Sequence, residues 1–124
     1  RQKTSVSLFV IKVNELASLN LANGQNSGDY ALQKLAKCLS LLFRRATDLI
    51  FRTDEDQFMI LTTQMDKTQS DFYVNQIKLR IKNLKIMNRK TNEQLTANVG
   101  CAFVVPKANM KSDVIIKDAL KQLD

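Results

Sequence analysis

The chain has 124 residues, enough for one domain. Hydrophobic residues make up 44% and charged residues 25%, which excludes a disordered or collagen-like chain. No apolar run approaches the ~18 residues that span a bilayer, and no segment reads as a signal peptide, so a cytoplasmic location is expected, including the cytoplasmic part of a membrane-tethered protein. Nineteen basic residues against twelve acidic ones give a net charge of +7, which suits an anionic partner such as nucleic acid, a nucleotide or an acidic protein. The absence of histidine excludes histidine-based triads, and two cysteines alone are too few for structural zinc. Cys38 and Cys101 lie in apolar segments and read as buried free thiols in a reducing compartment.

Ser5 to Val13 alternates and is rich in β-branched residues, the pattern of a strand. Asn20 to Gly28, dense in glycine and asparagine, reads as a loop. From Asp29 onward, Leu32, Leu35, Ala36, Leu39, Leu42 and Phe43 recur at helical spacing, with Ser27 or Asn26 as the cap and Arg44 and Arg45 in the last turn. Asp48 to Thr53 and Phe58 to Thr63 form a hairpin across the four polar residues Asp54 to Gln57. A second helix carries Tyr73, Ile77, Ile81 and Leu84 on one face and Lys78, Lys82, Lys85 and Arg89 on another, and Asn88 to Asn92 breaks it. Leu95 to Val105 is a strand closed by Pro106, and Ser112 and Asp113 start a last helix with Val114, Ile115, Ala119 and Leu120. This order predicts an α+β fold with a ferredoxin-like β-α-β-β-α-β core, a mainly antiparallel sheet and helices on one face.

Several functions share that topology, so fold alone does not choose among them. An RNA-recognition module would stack bases on strand aromatics, for which Phe9, Phe51, Phe58 and Phe103 are the candidates. The glycine-rich aromatic signature of such modules is absent, and these rings read as core. The lysine stripe of the second helix reads as a solvated face. A nucleic-acid partner is therefore not expected, nor is direct membrane insertion.

Three features converge on the hairpin and on the loop before the first helix. Asn20-x-x-x-Gly24-x-x-x-Gly28-Asp29-x-x-Leu32 is similar to the N-D-x-x-G-H-x-x-G-D-x-x-L motif of the GGDEF family of diguanylate cyclases, which join two GTP molecules into cyclic di-GMP. Leu35-Ala36-x-x-Leu39 continues that family's helix, and Arg52 to Phe58 stands where R-x-G-G-D-E-F belongs. Thr96 to Ala102 resembles the T-x-S-x-G-x-A strand, and Ala119-Leu120 falls where a closing A-D-x-A-L helix is expected. The likeness covers nearly the whole of residues 1–124, which read as one degenerate GGDEF-like domain. The family's helix ahead of the first strand is missing, so a fragment of a longer multidomain protein is expected.

The departures bear on function. Asp54 and Glu55 replace the glycines whose backbone N–H groups approach the GTP phosphates in the family, adding bulk and like charge. The resemblance places the family's divalent cations at Lys12 and Asp56, with Asn14 and Gln57 at neighbouring acidic positions. An ammonium cannot ligate magnesium, which takes oxygen donors, so the degenerate signature Asp54, Glu55, Asp56, Gln57 and Phe58 implies no catalysis, no metal and no cofactor. Lys12 is expected to replace the metal's charge by pairing with Asp56, Asp54 or both.

Two nucleotide-reading clusters survive. Asn20 and Asp29 match the family's guanine-binding positions, and they equally read as a turn former and a helix-start residue. Arg45-Ala46-Thr47-Asp48, with Leu49 to Thr53 before the signature, matches the family's R-x-x-D inhibitory site for cyclic di-GMP. An arginine fork reads guanine O6 and N7 while the carboxylate accepts from its N1–H and amino group. Arg44, Lys78 and Arg80 are candidates for added cationic contacts. As a local alternative, Arg45 neutralises a helix end and Asp48 makes a turn. The implied function is a catalytically inactive receptor for cyclic di-GMP that regulates a linked or partner protein. The alternatives are a nucleotide-independent interaction or dimerisation module, including a homodimer, and a GTP-binding domain without turnover.

Overall fold

The computed structural model describes residues 5–104 together with Lys117 and Lys121. In chain order these form β1 (Val6–Val13), α1 (Leu16–Asn23), α2 (Ser27–Leu42), β2 (Leu49–Asp54), β3 (Gln57–Thr63), α3 (Lys67–Asn83) and β4 (Ala97–Val104). The closing helix expected from Ser112, with Ala119 and Leu120, lies outside the described residues. The sheet order is β2-β3-β1-β4 and every neighbouring pair is antiparallel, which is the expected ferredoxin-like core.

Strand β1 occupies the centre and pairs from Val6↔Thr63 to Lys12↔Gln57 on one side, and from Val6↔Val104 to Val13↔Ala97 on the other. Because successive side chains alternate between faces, one sequence serves two apolar layers. Phe9, Ile11 and Val13 pack with Phe58, Ile60 and Val99 beneath the helices, against Leu35 and Leu39 of α2 and Ile77 and Ile81 of α3. Leu8 and Val10 point the other way and cluster with Met59, Ala102 and Leu61. This second layer is an addition to the one-faced packing expected from the sequence. Two buried hydroxyls, Ser7 on β1 and Ser70 on α3, satisfy each other across 2.6 Å.

The strand aromatics are divided. Phe9 and Phe58 are buried in the helix-side core, whereas Phe51 is exposed on β2, the edge strand, next to exposed Leu49. Both cysteines are free and half-buried rather than fully buried. Burial nevertheless pushes the Cys101 thiol up to about 12, outweighing the opposite pull of the nearby Lys67 ammonium.

The stretch expected as a loop, Asn20 to Gly28, overlaps the second half of α1 and the start of α2, so Asn20 is helical. Glu15, with φ 57°, makes the left-handed turn that lets the chain leave β1 and enter α1, and Gly24 with φ 113° ends it. Neither Ser27 nor Asn26 caps α2 with its side chain. Asn20 does that work from the preceding helix: its Oδ1 accepts from Gly28 N–H at 2.6 Å. A Cβ on residue 28 would stand 2.9 Å from that same oxygen, so an alanine here would force the Asn20 side chain to shift and strain this hydrogen bond. Helix α2 ends at Leu42, which leaves Arg44 and Arg45 beyond its last turn rather than within it. Helix α3 stops at Asn83, before the expected break, and its start is fixed by a capping box between Asp66 and Gln69.

Gly28→Ala is expected to lower unfolding free energy by about 1–2 kcal/mol, and Asn20→Ala by about 1 kcal/mol. Urea unfolding of both and of the double variant checks the origin: the Gly28→Ala cost should largely vanish once Asn20 is already alanine.

Candidate functional site

The hairpin joining β2 and β3 is tighter than the four-residue connection expected. Asp54 pairs with Gln57, Glu55 and Asp56 form the turn, and the register shifts at Thr53. No residue from 53 to 57 has a positive φ, so the turn makes no demand for glycine and accepts two carboxylate residues. Its backbone is pinned from within. Asp54 Oδ1 accepts from Glu55 N–H at 2.8 Å, Arg52 Nε donates to the Asp54 carbonyl at 3.1 Å, and Arg52 Nη2 donates to the Glu55 carbonyl. Sequence reasoning assigned Arg52 no structural task, although its place just ahead of a tight turn is the signal for one.

The expected pairing of Lys12 with the acidic hairpin does not form. Among the described residues the ion pairs are Arg45–Asp48 and Lys67–Asp71. The pleat explains this. Val13 N–H donates to the Asp56 carbonyl at 2.8 Å, so Asp56 stands opposite Val13, whose side chain lies on the helix face. Lys12 is one residue back, on the opposite face with Gln57, where its ammonium remains exposed and hydrated.

The same positions can be tested for a divalent cation. Asn14 gives its amide to Thr96 Oγ1 and Asn98 Oδ1, and Gln57 donates to Thr53 Oγ1. Of these four positions Asp56 is then the one carboxylate, the others being an ammonium on the opposite face and two engaged amides, a poor set for a hard cation that wants several oxygen ligands. Among the described residues no three histidine, cysteine, aspartate or glutamate side chains come together to hold a metal. The residues do not fit the family's cation pair.

At the second cluster, Asn20 touches Gly28, the neighbour of Asp29, so α1 and the first turn of α2 bring the two guanine-matching residues together. Asn20 has spent its carbonyl oxygen on Gly28 and retains its amide donors, while Asp29 is exposed in the turn where a negative charge suits the helix dipole.

The third cluster closes on itself. In the loop between α2 and β2, Asp48 Oδ2 accepts from Arg45 N–H at 3.0 Å and Asp48 Oδ1 accepts from Arg45 Nε at 3.2 Å. Arg45 Nη2 also donates to the Thr63 carbonyl at the end of β3, at 2.7 Å. The Arg45 side chain is 44% exposed, whereas that of Asp48 is only 3% exposed. Arg44 is exposed beside this pair. Lys78 and Arg80 are carried by α3, the helix that follows β3. They lie well along α3, roughly 16 and 20 Å from its first residue at 1.5 Å per residue. Lys78 lines a groove with Lys82, Ala97 and Asn98 beside β4, the strand at the opposite edge of the sheet from β2.

A four-stranded antiparallel sheet in this order, joined by a tight hairpin between β2 and β3, defines the ferredoxin-like class of α+β fold, which nucleotide cyclases share with other functions. The family model "Diguanylate cyclase, GGDEF domain" matches residues 1–124, and the chain belongs to that family. A curated relative, diguanylate cyclase DosC of Escherichia coli K12, is 25% identical over 104 residues, covering 83% of this chain. The alignment spans 22% of that relative, so the chain represents about a fifth of its length. The fold is shared with the GGDEF domain of DgcB from Caulobacter crescentus, solved in complex with c-di-GMP, at a TM-score of 0.80 and 16% identity, covering 95% of this chain and 69% of that one. It is shared too with the active GGEEF domain of a diguanylate cyclase from Vibrio cholerae, at a TM-score of 0.81 and 17% identity, covering 94% and 72%. The GGDEF domain of FimX from Pseudomonas aeruginosa gives 0.78 and 20%, covering 97% and 72%.

Asp48→Ala is expected to cost about 1–2 kcal/mol in urea unfolding, because two Arg45 donors lose a charged acceptor inside the loop. Arg45→Ala should cost less, since the backbone N–H of residue 45 still serves the Asp48 carboxylate.

Proposed function

We propose that this domain is a catalytically silent GGDEF domain that binds cyclic di-GMP through Arg45 and Asp48 and passes the binding event to a linked or partner protein. The observation that carries the reading is the pre-assembled Arg45–Asp48 pair, held in register by the Arg45 backbone and by the end of β3. The exposed edge of the guanidinium is the first contact for an anionic dinucleotide, with Arg44 alongside. Engagement of guanine O6 and N7 exchanges Arg45's internal bonds for bonds to the base. The carboxylate then becomes available to the guanine N1–H and amino group. Because the loop bridges α2 and β2, that exchange gives the ligand different contacts in the closed and open states, which is the condition for shifting a conformational equilibrium. Loss of turnover follows from the chemistry at the hairpin. Lys12, Gln57 and Asn14 supply no cation cage for phosphoryl transfer, and two acidic side chains occupy the turn where phosphates would rest.

A second reading, a nucleotide-independent interaction or dimerisation module, is favoured by the closed state of the same pair and by the exposed apolar side chains Leu41, Leu49, Phe51 and Phe72. A GTP-binding role resting on Asn20 and Asp29 is weakened by the engagement of Asn20 with Gly28. Among the described residues, no helix is long and apolar enough to cross a membrane.

Calorimetry with cyclic di-GMP on the native chain and on Arg45→Ala decides between the readings. Saturable heat that weakens about tenfold or more in the variant is expected, the usual scale for a lost charged hydrogen bond. Equal heats from both, or none from either, would leave the interaction module standing. Incubation with GTP and magnesium or manganese is expected to yield no dinucleotide, and product formation would overturn the silent assignment.

A further inference from the structure

A hollow of about 260 Å³ lies where α1 and the start of α2 meet the segment following α3. No residue of the β2–β3 hairpin lines it, nor does Asn20, Asp29, Arg45 or Asp48. Lys34 reaches it from α2, Lys85 from the turn after α3, and Arg89 from the segment beyond. All three are exposed, and among the described residues none is in an ion pair. No aspartate or glutamate is among the lining residues. A sphere of this volume is about 8 Å across, close to one Debye length at physiological salt, so the three charges act jointly on whatever occupies the space.

The arrangement is held in place rather than left to loose side chains. The Asn23 amide donates to the Met87 carbonyl at 2.7 Å, and its Oδ1 accepts from Arg89 N–H at 2.8 Å, which fixes the Arg89 backbone against α1. The Lys34 ammonium lies 5.0 Å from the centre of the Tyr30 ring, which restrains its long stem. Ser27 adds a hydroxyl at the rim. The hollow falls just below the usual ~300–1,000 Å³ of sites for drug-sized ligands, so it is too small for a cyclic dinucleotide and suited to a compact, multiply charged anion. Arginine contributes a planar fork for phosphate oxygens and lysines contribute point charges, the usual pairing for linked phosphates.

We infer that this hollow is a binding site for a diphosphate group, either inorganic pyrophosphate or the diphosphate end of a nucleotide, separate from both guanine-reading clusters. The site is independent of the cyclic di-GMP proposal, and the controls keep the two apart. Pyrophosphate titrated into the 124-residue chain by calorimetry, at about 0.15 M salt, is expected to bind saturably. Lys85→Ala and Arg89→Ala should each weaken it about tenfold, while Arg45→Ala leaves it unchanged. Unfolding midpoints of these exposed-site variants verify that the fold is intact. ADP binding at least as tightly as pyrophosphate assigns the site to nucleotides, and pyrophosphate alone assigns it to the free anion; both support the site. Absence of saturable heat up to about 10 mM, or an affinity indifferent to both Lys85→Ala and Arg89→Ala, overturns it.

Discussion

Everything in this domain is arranged around a strand whose middle, Ser7 to Ile11, is buried on both faces. Leu8, Phe9, Val10 and Ile11 are all buried, alternating between two apolar layers while β3 and β4 satisfy the backbone on either flank. A slip of one residue would exchange the two layers and carry the Ser7 hydroxyl away from Ser70, so the register is strongly specified. The positions of the three candidate clusters follow from that register. The hairpin is placed by Val13 meeting Asp56, the α1–α2 corner by the turn at Glu15, and the Arg45–Asp48 loop by the end of β3.

The same register governs the electrostatics of the degenerate end. A lysine one residue from Val13 is sent to the face away from Asp56, so opposite charges on neighbouring strands do not meet. Exposed ion pairs gain little, and the hairpin finds its order through Arg52 and Asp54 instead. The acidic turn is therefore locally self-sufficient: it needs neither glycine nor a counter-ion to keep its shape.

Much of the fold was legible from residues. The alternating run through Val13, the helical spacing of Leu32, Leu35 and Leu39, and the paired strands around Asp54–Gln57 led to the antiparallel core. Helix α1 was hidden because its asparagines and short length carry no amphipathic signal, and tertiary packing of Leu19 decides the matter. Its end was announced by Gly24, and the start of α3 by Asp66 and Gln69, signals that a search for capping patterns would have used. The pairing of Arg45 with Asp48 was readable as a motif, but not its closed state, which depends on a carbonyl eighteen residues away at Thr63.

The edge position of β2 has a kinetic corollary. Among the described residues no strand neighbours its outer backbone groups, and five of its six residues are exposed, so its amides open at lower free energy than those of doubly flanked β1. Asp48 immediately precedes this least protected strand. Fraying that begins at Leu49 loosens the carboxylate's seat before the central sheet is disturbed, giving the clamp a local breathing motion that leaves the folded body intact.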